Sequence, residues 1–144
     1  MTHKSPKIDA LLAGFAEVPG VNRHYVGFFR CFNAQLYYEA HDVLEEVWLP
    51  IRGQAQARFY QGLIQMAGGF VHLQKGRLGP ASRLFALALR NFETYPSRHA
   101  GIDLDTIRQL CREHRDAVIA SGETLNPWSP DNAPQLAMPS STIS

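Results

Sequence analysis

His41 and Glu45 stand four residues apart in the stretch YYEAHDVLEEVW, residues 37–48. On a helix that spacing puts imidazole and carboxylate on one face, about 40° apart. A carboxylate beside a histidine raises its basicity, which suits general acid–base work. A further histidine, His72, would complete a set of two imidazoles and one carboxylate. Such a set suits zinc, iron or manganese. The chain has no His-Glu-x-x-His and no Glu-x-x-His pair, so His41, Glu45 and His72 would have to meet through the fold. No nucleophile accompanies them, and no catalytic residue is assigned. Cys31 and Cys111 both fall on apolar faces, where a cysteine is core material. The plainer alternative is a structural network, with Tyr38 and Glu45 orienting a histidine at the edge of the core.

The helix carrying the cluster sorts its side chains by angle. Trp48, Tyr37 and Leu44 share the apolar side with Ala40, Val47 and Leu36. Tyr38 and Glu45 flank His41 at about 60° and 40°. Asp42, Glu46 and Glu39 fall at about 100° to 160° from His41, facing solvent, an earlier helix or a partner. A second long helix, over residues 54–74, is apolar almost all round, as a central helix is. Its polar stripe consists of Gln61, Gln65 and His72. Gly62, Gly68 and Gly69 leave room there for close approach of a helix or a ligand. A short connection makes the two helices antiparallel neighbours. The stripes are therefore expected to face each other, with His41, Glu45 and Tyr38 satisfying the two glutamines and His72.

The remaining elements are helical too. Ser5-Pro6 is a helix-start signal, and Pro19-Gly20 a stop. Asn22 can cap a helix in which Tyr25, Phe28, Phe29 and Phe32 recur at i, i+3, i+4, i+7. Asn33 marks a turn, and Leu49-Pro50 ends the cluster-bearing helix. After Gly79-Pro80, Ala81, Leu84, Phe85, Ala88, Leu89 and Phe92 line one helix face, and Tyr95-Pro96 ends it. Asp103 or Asp105 can cap a last helix with Leu104, Ile107, Cys111, His114 and Val118 on one face; His114 reads as a satisfied core histidine. No strand pattern stands out. The expected architecture is all-α: a single bundle of five to six mostly antiparallel helices over residues 1–121, followed by a Pro/Ser-rich tail or arm over 122–144, with Trp128 as its anchor.

The 144 residues are 45% hydrophobic and carry a net charge of +1, enough for one core and a poor fit to a nucleic-acid binder. Residues 32–50 hold Glu39, Asp42, Glu45 and Glu46 and no Lys or Arg, whereas the next fifty hold seven basic residues against Glu93. These segments can pair within one fold or across a homodimer. Arg83 and Arg90 share a face, which on its own reads as solvated. The start of the chain lacks a signal-peptide pattern and no apolar run is long enough for a membrane span, so a cytoplasmic protein is expected.

Phe32-Asn33, Tyr38-Glu39-Ala40-His41, Leu44-Glu45 and Trp48, followed by Gln61-Gly62-Leu63-Ile64-Gln65, together resemble the domain-of-unknown-function family 309. These are small helical bacterial and archaeal proteins with no established activity. The resemblance spans about residues 22–95, with Asp42 in place of the acid usual after the histidine. It implies the helical fold and marks Glu39, His41, Glu45, Trp48, Gln61 and Gln65 as matching the family's polar motif. With Tyr38 and His72 they form the expected pocket. The function expected is a non-catalytic module that binds a small ligand or a protein partner; the alternative is a metal-dependent hydrolase using His41, Glu45 and His72.

Overall fold

The computed structural model describes residues 5–141; residues 1–4, and the last three of the expected tail, lie outside them. Six helices follow in order: α1 (Ser5–Ala13), α2 (Arg23–Asn33), α3 (Tyr37–Ile51), α4 (Ala57–Gln74), α5 (Leu78–Phe92) and α6 (Leu104–Ala120). From α2 onward each helix packs against the next, so the bundle folds as successive hairpins.

The aromatic spacing of α2 does what it should. Tyr25, Phe28, Phe29 and Phe32 are all buried, and the Asn22 side chain caps the helix by accepting from the Tyr25 N–H. Phe70 of α4 is the hub of the core. Its ring lies 5.2 Å from those of Phe32 and Tyr37, 5.1 Å from Phe85 and 4.8 Å from His114, so one side chain ties α2, α3, α5 and α6 together. Gly62 and Gly69 make the α4–α5 approach possible. An added Cβ would sit 2.5 Å from the Phe92 ring at the first and 2.6 Å from the Phe85 ring at the second. The expected close packing at these glycines is therefore by α5.

Several features differ from expectation, among them α5, which starts at Leu78 and so takes in the Gly79-Pro80 expected to precede it. The helix α3 runs through Pro50 to Ile51. Proline so near the end removes only one hydrogen bond, and the turn survives. The helix α4 begins at Ala57, after a turn over residues 52–56. A small hairpin, β1 (Arg98–His99) and β2 (Ile102–Asp103), precedes α6. Its two turn residues, Ala100 and Gly101, both have positive φ, 49° and 77°, the geometry that two-residue hairpins prefer. Asp103 then caps α6, accepting from the Asp105 and Thr106 N–H groups.

Residues 122–141 run back over the bundle as an extended arm with a single 3-10 turn, Pro130–Asn132. Trp128 does anchor it, donating Nε1–H to the Tyr37 hydroxyl at 3.0 Å. It is not alone. Asn126 donates to the Leu73 carbonyl, and the Asn33 side chain clasps both the N–H and the C=O of Leu136 at 2.7 and 2.8 Å. Leu136 itself is buried. The Ser140 N–H reaches the Gly101 carbonyl, where any Cβ on Gly101 would collide with the arm's backbone. No helix among the described residues is long and apolar enough to cross a membrane.

Candidate functional site

A cleft of about 310 Å³ opens between α3 and α4. Tyr38 and His41 line it from α3. Ile64, Gln65, Gly68, Val71 and His72 line it from α4, with Lys75 just beyond that helix and Leu84 from α5. Of the eight expected pocket residues, Tyr38, His41, Gln65 and His72 are on this wall. Glu39, Glu45, Trp48 and Gln61 are half-buried elsewhere along the two helices. Burial raises the thiol of Cys31, and the charge of Glu39 raises it further. Trp48 packs on the core, its Nε1 buried with no hydrogen-bond partner among the described residues.

The partners inside the seam are not those the angles alone suggested. Gln65 accepts from Asn91 Nδ2 of α5 at 2.6 Å rather than being held by α3. The α4–α5 approach that Gly69 and Gly62 permit brings that amide within reach. Asp42, expected with Glu46 and Glu39 to face solvent, an earlier helix or a partner, is buried, with its Oδ1 3.2 Å from His41 Nδ1. Helix α2 packs against α3. Glu46, from the same group, turns to the earlier helix as one of the expected options, 3.3 Å from His24 of α2. These two acids are thus engaged within the chain, which weakens the case for an acidic face pairing across a dimer.

The cleft has a distinct electrostatic character. Tyr38 and His41 lie nearly parallel, 3° between planes and 6.1 Å between centroids. His72 has its Nδ1 buried without a partner among the described residues. Burial lowers its pKa, and the charges of Arg77, Lys75 and Arg83 lower it further. A neutral imidazole in a positive field, walled by Ile64, Val71 and Leu84, favours an anion over a cation. Sequence reading missed Lys75 and Leu84. Lys75 could have been found, since it follows His72 at i+3; Leu84 could not, because it belongs to the face expected to be core.

A second grouping lies at the cleft's edge. One ligand atom each from His41, Asp42 and Glu45 fall within 4.8 Å of one another. His72 is not in that group. The cysteines are core, as expected: both are buried, and burial pushes each thiol up to about 12. His114 is satisfied through the Leu110 carbonyl at 2.9 Å.

The family model of Domain of unknown function (DUF309) matches residues 25–84. This stretch is therefore similar to that family. All nine residues lining the cleft lie within the DUF309 stretch, as do Asp42 and Glu45. An uncharacterized protein of Aquifex aeolicus (strain VF5) is 29% identical over 96 residues, 67% of this chain and 28% of that protein. The uncharacterized protein YpuF of Bacillus subtilis (strain 168) is 29% identical over 87 residues, 60% of this chain and 50% of that protein. The chain thus spans half or less of the length of these relatives.

Proposed function

We propose that this chain is a non-catalytic binding module whose α3–α4 cleft takes a small organic anion with a flat apolar body. The observation that carries this reading is the lining: apolar Ile64, Val71 and Leu84 together with Lys75, His72 and the parallel rings of Tyr38 and His41. Ligand sites are commonly concave, mostly apolar and set with a few polar groups. The glycine at position 68 adds no side chain to this lining. Free buried cysteines fit a reducing compartment, so the ligand would be met in the cytoplasm.

An NMR titration with 2-naphthoate tests the idea, with neutral 2-naphthamide as the control. Saturable shifts at Gly68, Val71 and Lys75, stronger for the acid and lost in Lys75→Glu, are the expected result. Equal response to both probes, or shifts scattered over the bundle, would defeat it. The competing reading, a metal-dependent hydrolase built on His41, Glu45 and His72, is supported by the gathering of His41 and Glu45. It is disfavoured by the absence of His72 from that gathering.

A further inference from the structure

We infer that His41, Asp42 and Glu45 form a site for one divalent cation at the edge of the cleft. The proposal shares only His41 with the anion reading and uses a different probe, so either can fail without the other.

The argument begins with helical geometry. Glu45 follows Asp42 by three residues and His41 by four, so both pairs stack on adjacent turns of α3. Tyr38, which lines the cleft, falls in angle between Glu45 and Asp42. The cluster therefore borders the cleft mouth. Its ligand atoms are already within 4.8 Å of one another. Bonds of about 2.0–2.2 Å to a central ion would place ligand atoms roughly 3.4 Å apart. Rotamer adjustments of about an ångström close the set, with no movement of backbone. The His41–Asp42 pair, at 3.2 Å, is nearly at that spacing now.

The chemistry of the donors narrows the ion. Two carboxylates and one imidazole are hard to borderline ligands, suited to manganese, iron or zinc and not to a thiophilic ion. Both carboxylates are at least partly withdrawn from water. A dication would be attracted to both carboxylates in a setting less screened than the open surface. Three protein ligands on one helix leave the remaining coordination positions open. Since His41 also lines the cleft, at least part of that open side faces it.

The test uses the protein without a histidine tag, stripped with a chelator. Titration with MnCl2, followed by electron paramagnetic resonance of the free ion, and with ZnCl2 by calorimetry, is expected to show one site per chain. Glu45→Gln and Asp42→Asn should each weaken binding by at least about tenfold, and His41→Ala should abolish it. Added Mn2+ should raise the melting temperature of the parent chain and leave that of Glu45→Gln unmoved. Glu45 is more exposed than Asp42, so Glu45→Gln keeps the test alive if Asp42→Asn folds poorly. His72→Ala should bind as the parent does. No saturable site, loss of binding in His72→Ala, or loss in His24→Ala with retention in His41→Ala would each overturn the assignment.

Discussion

Gly68 and Gly69 are neighbours in sequence and opposites in the structure. Gly69 faces α5, and the Phe85 ring fills the space its missing side chain leaves. Gly68 faces the cleft, where an added Cβ would meet only Leu84 Cδ1, at 3.1 Å. One side of α4 is thus closed by a ring, the other left open. The same composition serves both sides, because a helix gives successive residues different neighbours. A glycine in a helix signals close approach; it does not tell whether the approaching body belongs to the chain.

Substitutions on the two sides should separate these roles. The largest effect is expected from Phe85→Ala, which empties the notch at Gly69 and strips contacts from Phe70 and His114. A loss of about 3–5 kcal/mol in urea unfolding is expected. Gly69→Ala approaches the same contact from the other partner. The Phe85 ring must yield, at a cost of about 1–3 kcal/mol; an unchanged midpoint would mean that the interface is looser than drawn.

A pH dependence follows on the closed side. Burial holds the His114 pKa below its ordinary value of about 6.5, outweighing the Leu110 carbonyl and Glu113. The unfolded chain therefore binds more protons as pH falls below about 6.5, so stability falls on acidification and levels off below the folded pKa. His72 and His99 shift the same way and add to the slope. Melting temperature should drop between about pH 7 and pH 5, and His114→Leu should make the drop shallower.

The smallest effect belongs to the open side. Gly68→Ala gains helix propensity of up to about 1 kcal/mol, and Leu84 can swing into the cleft to make room. Stability should hold or rise slightly while 2-naphthoate binding weakens. A clear destabilisation would show that Leu84 is held in place and the cleft is rigid.

Much of this is legible in the sequence. The caps at Asn22 and Asp103, the α2 aromatic face and the glycine approaches depend on local spacing, and spacing is written in the chain. What was not legible depends on third parties. The angle of Asp42 from His41 leaves solvent, an earlier helix and a partner all open, and its burial shows only in the packed bundle. Gln65 was assigned to α3, yet Asn91 arrives from a helix whose approach only the Phe85 and Phe92 contacts fix. The hairpin strands, two residues each, are too short to alternate. The arm's grip on Asn33 joins residues 103 apart, and nothing local distinguishes that asparagine from one that merely ends a helix.

The arm differs from the rest of the molecule in how it responds to salt. After Arg115 the sequence contains no lysine or arginine, and from residue 122 to 141 the only charges are Glu123 and Asp131. Its attachment rests on amides, an indole, a carbonyl at Gly101 and a buried leucine. Ionic strength that shortens the reach of charge to about 10 Å at 0.1 M would weaken the histidine–carboxylate pairs of α3 and the field around Lys75. It has little purchase on the arm. The closure of this fold is therefore set by shape and hydrogen bonding, while its cleft remains tunable by the ionic composition of the solution.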